Sequence, residues 1–232
     1  MYKRTSRIKM LFKLLIFSLS ISTTCISHAQ IFSYGLKGGL NISETLNTSY
    51  ESHTKTGFNA YVFADYNAFK KVSISVQTGF TQKGFKTESF DYYADEIHYY
   101  GALNAELNYI DISVSGKFKL LNGKVVPYIM AGPSLGIKIS DGTTATGNAH
   151  VFQIADLQSL LDVVYTNSFG IKAGVGVEIN IVKNMSLIFE TNYNIDLISS
   201  YNAPDIRLGI ETWYYSDNIK NRVLEVSAGV KF

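Results

Sequence analysis

Val223-Leu224-Glu225-Val226-Ser227-Ala228-Gly229-Val230-Lys231-Phe232 closes the chain, and its reading decides the fold. Successive side chains of a strand point to opposite faces. Leu224, Val226, Ala228, Val230 and Phe232 therefore share one face, and Glu225, Ser227, Gly229 and Lys231 share the other. The apolar face runs for about the length of a membrane-crossing strand, and the chain ends on an aromatic residue.

The same period-two pattern recurs in seven earlier stretches. The cleanest is 72–81, with Val72, Ile74, Val76 and Phe80 against Ser73, Ser75, Gln77 and Thr81. In 34–42, Leu36, Leu40 and Ile42 oppose Lys37 and Asn41; in 58–66, Phe58, Ala60, Val62 and Ala64 oppose Asn59, Tyr61 and Asp65. In 108–119, Ile110, Ile112, Val114 and Phe118 oppose Asp111, Ser113, Ser115, Lys117 and Lys119. In 125–140, Ile129, Ala131, Leu135, Ile137 and Ile139 oppose Tyr128, Met130, Ser134 and Lys138. In 168–181, Phe169, Ile171, Val175, Val177 and Ile179 oppose Lys172, Gly174, Gly176 and Glu178. In 186–198, Leu187, Phe189, Tyr193, Ile195 and Leu197 oppose Glu190, Asn192, Asn194 and Asp196.

The connections alternate in length. Short ones fall at 67–71, at Leu121-Asn122-Gly123-Lys124, where Asn-Gly marks a tight turn, and at 182–185. Long ones fall at 43–57, 82–107, 141–167 and 199–222. Short turns on one side and long loops on the other are the pattern of an outer-membrane barrel, with the short turns facing the periplasm. The expected fold is all-β: an eight-stranded antiparallel up-and-down transmembrane β-barrel with short periplasmic turns and long external loops. The even strand count puts both termini on the periplasmic side.

The N-terminus agrees with that destination. Lys3, Arg4, Arg7, Lys9 and Lys13 form a basic region, residues 14–21 a short apolar region, and Ser27-His28-Ala29 a small-residue cleavage site. Residues 1–29 are read as a signal peptide and 30–232 as the barrel domain. An uncleaved anchor helix would need an apolar run of about 20 residues. Cys25 raises a lipid-anchored N-terminus, but Ser22-Thr23-Thr24 before it make a poor lipoprotein signal. Removing the five basic residues of the signal leaves 16 basic against 19 acidic residues, a net charge of −3 instead of +2. A nucleic-acid partner thereby loses its compositional support. The single Cys leaves with the signal, so neither a disulfide framework nor a cysteine metal site is expected. The 18 Gly, 16 Tyr and 14 Phe against three Pro suit many strands with aromatic girdles.

Alternation alone does not say which face meets what. A soluble lipocalin-like barrel would bury the apolar face. The loop asymmetry, the terminal Phe232 and the aromatics near strand ends favour the membrane. The polar faces then point inward and carry Lys37, Asp65, Asp111, Lys117, Lys119, Lys138, Lys172, Glu178, Glu190, Asp196, Glu225 and Lys231, six cations and six anions. Eight strands enclose little beyond their own side chains, and buried charges are tolerated when paired. The expectation is an internal salt-bridge network that plugs the lumen. Gly35, Gly39, Gly79, Gly132, Gly174, Gly176 and Gly229 also face inward and relieve crowding.

Several stretches carry a resemblance: Tyr34-Gly35-Leu36-Lys37-Gly38-Gly39-Leu40-Asn41, Tyr109-Ile110-Asp111-Ile112, Pro127-Tyr128-Ile129-Met130-Ala131-Gly132-Pro133-Ser134, residues 169–178, and Ala228-Gly229-Val230-Lys231-Phe232. They resemble the PorT-like outer-membrane β-barrel family of Gram-negative Bacteroidetes, often labelled "porin family". The resemblance covers nearly all of 30–232. It implies an integral outer-membrane protein of about eight strands, in a family most of whose members have no assigned activity. The founding member's association with a secretion and gliding apparatus is not carried over, because many paralogues share these motifs. Ser113-Val114 departs from the family, which often carries Pro there.

Sharper functions find little support. Lipid hydrolases and acyltransferases need a nucleophile–base pair near the rim. His53, His98 and His150 all fall in long connections, His98 within Asp91-Tyr92-Tyr93-Ala94-Asp95-Glu96-Ile97-His98-Tyr99-Tyr100. Asp95 and Glu96 are close enough to orient an imidazole, yet a solvated loop explains the tract as well. Its Asp91, Asp95 and Glu96 lack Ca²⁺-loop spacing. Tyr92, Tyr93, Tyr99, Tyr100, Trp213, Tyr214 and Tyr215 suit recognition of a protein or glycan, or an interfacial girdle. Val151, Ile154, Leu157, Leu161 and Val164 recur at helical spacing and predict a short amphipathic helix capping the mouth. The leading expectation is a plugged structural or interaction barrel, not an enzyme and without cofactor or metal. It is monomeric, embedded in outer-membrane lipids and delivered by the barrel-assembly machinery, for which Phe232 is the C-terminal signal. A narrow porin for small solutes is second, and a lipid-modifying enzyme third.

Overall fold

The computed structural model describes residues 32–46, 52–87, 90–94, 97–147, 164–165, 167–198, 201–202, 206–208, 211–213 and 220–232. The predicted signal peptide and the helical pattern from Val151 to Leu161 lie outside the described residues; Val164, the last member of that pattern, lies in the two-residue strand Val164–Tyr165 and not in a helix. Eight long strands make the wall: β1 (Phe32–Leu46), β2 (Lys55–Tyr66), β3 (Val72–Thr87), β4 (Ile97–Lys119), β5 (Val125–Gly147), β6 (Ser168–Val182), β7 (Met185–Asp196) and β8 (Lys220–Lys231). Each pairs antiparallel with its neighbour in sequence. β8 then pairs with β1 from Gly35↔Lys231 to Leu46↔Lys220. That last pairing closes the sheet into an eight-stranded barrel and leaves the wall without a free edge, the requirement for spanning lipid with strands.

The sequence pattern explains each wall. β2 and β7 alternate buried and exposed residues almost without interruption. The inward set is polar and the outward set apolar: among the described residues, 29 buried side chains are polar or charged and ten are apolar. Leu36, Val62, Ile74, Val114, Ile129, Ile171, Phe189 and Val226 are exposed on the outside. A soluble barrel would reverse this arrangement, so the lipocalin-like alternative fails.

The short connections take the expected form. In the β4–β5 turn, Gly123 sits at φ +144°, a conformation L side chains avoid, and nothing lies within 4 Å of where its Cβ would be. The glycine is there for its backbone and not for space.

The strands run past the predicted ends, most of all on the external side. Residues 82–107 were expected as a loop; instead β3 continues to Thr87 and β4 begins at Ile97, with Phe90–Ala94 paired to Ile97–Gly101 between them. β5 likewise continues to Gly147 and stays paired with β4. The β3–β4–β5 side of the wall therefore stands above the rest as a three-stranded extension. Ser52–His53 pairs with the upper end of β3, and Val164–Tyr165 with Tyr201–Asn202.

Candidate functional site

The inward side chains form stacked layers of charge, set by the register of neighbouring strands. At the periplasmic end, Lys231 of β8 pairs with Glu178 of β6, and the Lys119 ammonium donates to Asn67 Oδ1 at 3.2 Å. One layer outward, Glu190 of β7 is the hub. Lys37 of β1 pairs with it, Lys117 of β4 approaches its Oε1 to 3.5 Å, and the Tyr128 hydroxyl donates to Oε1 at 2.7 Å. Lys117 also lies 3.2 Å from Asp65 of β2 and 5.1 Å from the ring centres of Phe63 and Tyr128, within cation–π reach. Gly176 faces Tyr128: a Cβ there would collide with the phenol ring. The absent side chain is what lets the ring lie across the lumen.

The middle layer is the tightest. Lys172 of β6 lies 3.0 Å from Asp111 of β4 and 3.1 Å from Glu225 of β8. Lys172 and Glu225 are 0% exposed. The Tyr61 hydroxyl donates to Glu225 Oε1 at 3.0 Å, and its ring lies 4.9 Å beneath the Lys172 ammonium. Residues from β2, β4, β6 and β8 thus meet at one ammonium, so the knot ties together every second strand of the wall.

Further out the lumen is held by neutral groups. Asn41 donates to Thr81 Oγ1 at 2.9 Å, Asn59 donates to Asn41 Oδ1 at 2.6 Å, and Ser227 donates to Asn59 Oδ1 at 3.0 Å. Above them Lys83 of β3 lies 3.3 Å from Asp196 of β7, which also accepts from Asn221 at 3.1 Å.

Of the twelve predicted charges, ten stand buried or nearly so along the lumen, and Lys119 is half-buried at its periplasmic mouth. Lys138 does not join them. It stands at the external rim and pairs with Asp141 at 2.8 Å, the two side chains 25% and 35% exposed. The register between β4 and β5 shifts beside it, between Asn108 and Tyr109, where the strands leave the lumen. Sequence reading missed Lys83, which is 1% exposed, and Lys55, which lies 3.4 Å from Glu106. The signal for Lys83 was present: it continues the inward parity of Ser73, Ser75, Gln77 and Thr81. It was lost by ending the strand at Thr81.

Phe232 finishes the closure. Its N–H donates to the Tyr34 carbonyl at 2.7 Å, and the Tyr34 N–H donates back to the Phe232 carbonyl at 3.1 Å. The two rings lie 6.0 Å apart, beside a Phe32–Tyr66 contact at 5.0 Å. These rings make an aromatic girdle at the periplasmic edge of the apolar band.

The candidate groups of the loops are less fully described. His53 is exposed on the short strand Ser52–His53. His98 pairs with Tyr93 through the backbone, while the His98 side chain, Asp95, Glu96, His150, Tyr214 and Tyr215 lie outside what is described. Among the described residues, no three His, Cys, Asp or Glu side chains are grouped to hold a metal.

A closed wall, polar within and apolar without, is the architecture of a bacterial outer-membrane protein. The family model for the outer membrane protein beta-barrel domain matches residues 28–202. The chain belongs to that family. Among solved structures it is similar to Ail, the attachment invasion locus protein of Yersinia pestis, at 13% identity and a TM-score of 0.41, covering 86% of this chain and 98% of that one. Neisserial surface protein A is similar at 16% identity and a TM-score of 0.42, covering 86% and 97%. Outer membrane protein W of E. coli is similar at 16% identity and a TM-score of 0.42, covering 87% and 97%. No curated protein matches the chain.

Proposed function

We propose that this outer-membrane barrel is closed to solutes and acts by presenting its external side to a protein or glycan, without catalysis. One observation carries the reading. The Lys172–Asp111–Glu225 knot crosses the lumen with every ammonium and carboxylate in contact, and the Glu190 hub lies directly below it. A solute passing through would have to separate these pairs, leaving bare charges in a space with little water, at several kcal/mol each. A narrow porin needs the reverse: a charged lining with room between the charges. The strand extension beyond the rim supports a role in display, since it adds ordered surface on the external side that closure of the barrel does not require. The protein is monomeric in this reading, and its terminal Phe232 is recognised by the barrel-assembly machinery. The finer kinship, with the PorT-like branch, rests on the motifs of β1, β4, β5, β6 and β8 and brings no secretion role with it.

Planar-bilayer recording of the purified protein tests the proposal. The expected result is insertion without stepwise current, and appearance of steps on Lys172→Ala combined with Asp111→Ala and Glu225→Ala, which empties the knot without stranding a charge. Steady openings of the unaltered protein would refute the plug.

A further inference from the structure

The two ends of the barrel differ in charge. Every short turn carries exposed lysine: Lys70 and Lys71 between β2 and β3, Lys124 between β4 and β5, Lys183 between β6 and β7. No acidic residue occurs in 66–72, 120–125 or 182–185. The nearest carboxylates on that side, Asp65 and Glu178, are buried and committed to Lys117 and Lys231. The lysines alternate with exposed apolar side chains in the same turns: Phe69 is 72% exposed and Leu121 is 61% exposed. Among the described residues of the external side, Arg222 is paired with Glu44 and Lys138 with Asp141.

We infer that the periplasmic turns form a binding ring for anionic phospholipid of the inner leaflet, through the headgroup phosphate. The turns lie where the apolar outer band ends, at Tyr66, Val72, Phe118, Val125 and Phe232. Phe69 and Leu121 therefore meet the boundary between acyl chains and headgroups, the depth that suits exposed apolar and aromatic groups beside polar ones. The ammonium groups next to them reach the phosphate plane on apolar stems. A lysine near an anionic surface favours it by roughly a factor of five, additively in free energy while the charges lie within a Debye length of it. The backbones of the four lysines are held on short turns between paired strands, so engaging a headgroup costs side-chain freedom but no ordering of the loops.

The test is native mass spectrometry of the purified protein in neutral detergent with an equimolar mixture of phosphatidylglycerol and phosphatidylcholine of identical chains. Phosphatidylglycerol is expected to be retained over phosphatidylcholine by at least about five-fold, the factor for a single lysine. The preference is expected to fall to near parity in Lys70→Gln/Lys71→Gln/Lys124→Gln/Lys183→Gln. It is expected to persist in Lys86→Gln/Lys220→Gln, which removes cationic charge from the external side. Each variant is first checked for the folded band on an unboiled gel. Should the quadruple variant not fold, Lys124→Gln/Lys183→Gln is read in its place, with part of the preference lost. Near parity in the unaltered protein, full preference in the turn variants, or equal loss in the external variant would overturn the inference.

Discussion

β4 passes through two environments, and its faces exchange character between them. Up to Asp111, its inward residues are Lys117, Ser115, Ser113 and Asp111, and its outward residues are Phe118, Val114, Ile112 and Ile110. Above that, the inward residues are Tyr109, Leu107 and Ala105, which pack with Phe85 into the apolar cluster of the molecule. The outward residues become Asn108, Glu106 and Asn104. Asn108 donates to Ser140 at 3.1 Å and accepts from Gln82 at 3.2 Å, and Asn104 donates to Thr144 at 3.4 Å, a polar lattice over β3, β4 and β5. The parity of the strand never changes. What changes is the solvent outside, lipid below Asn108 and water above it, and the chain assigns its apolar atoms accordingly. The lower region is held by buried charge pairs, while in the upper one the Tyr109–Leu107–Ala105 cluster adds hydrophobic burial beside the ammoniums of Lys83 and Lys55.

The largest way to break the lower region is to remove the cation at its centre. Lys172→Leu leaves Asp111 and Glu225 facing each other, both fully buried, with no counter-charge. Removing one partner of a buried ionic cluster costs roughly 3–5 kcal/mol. The urea midpoint of the barrel folded in vesicles, read from the unboiled gel band, is expected to drop accordingly. Lys172→Leu with Asp111→Asn and Glu225→Gln is expected to recover most of the loss, since the cost comes from stranded carboxylates and not from the absent lysine. Failure of the neutral triple variant to recover would mean that the pairs themselves, and not their mutual compensation, hold the wall.

The next test places one charge on each side of the proposed boundary along the same face of the same strand. Val114→Arg puts a guanidinium in the middle of the apolar band, at a cost of about 2–4 kcal/mol. Asn108→Arg, six residues further out, is expected to cost no more than about 1 kcal/mol. Equal costs would erase the distinction between the regions; a cost at Asn108 approaching that at Val114 would move the lipid boundary outward by at least two residues.

How much of this was legible depends on which solvent a segment meets. The period-two pattern of 72–81 or 223–232 is strong because lipid demands an unbroken apolar face and the lumen a polar one, and both demands are written in single residues. The inversion above Asn108 hid the rest of β4. There the outward face turns polar and the inward one mildly apolar, so a reader following apolar-out parity sees the signal end and calls a loop. Lys83 was lost in the same way. The knot itself was legible as a balanced count of charges, but its partners were not. Nothing in the local sequence of β6 says that Lys172 meets Asp111 of β4 and Glu225 of β8, since neither strand is adjacent to β6; barrel diameter and register bring them together. Lys138 shows the converse, since its inward parity predicted a lumen position and a register shift placed it at the rim.

The smallest expected effect sharpens the boundary on the opposite side of the barrel. On β1 the outward residues pass from Ile42 to Glu44, and on β8 from Leu224 to Arg222, the same change from apolar to polar seen on β4. Glu44 and Arg222 are direct partners in the β1–β8 register and lie 2.6 Å apart, with side chains 32% and 35% exposed. An ion pair bathed in salted water is worth about 0–1 kcal/mol. Arg222→Ala is therefore expected to leave the urea midpoint nearly unchanged, and Glu44→Ala likewise, if this ring of polar residues stands at the headgroups. A pair below them would behave like Lys172 and its partners, because an unpaired charge in hydrocarbon has no water to turn to. A loss above about 2 kcal/mol on removing either residue would therefore put the β1–β8 seam deeper in lipid than the β3–β5 extension, and would mean that the barrel stands tilted in the membrane.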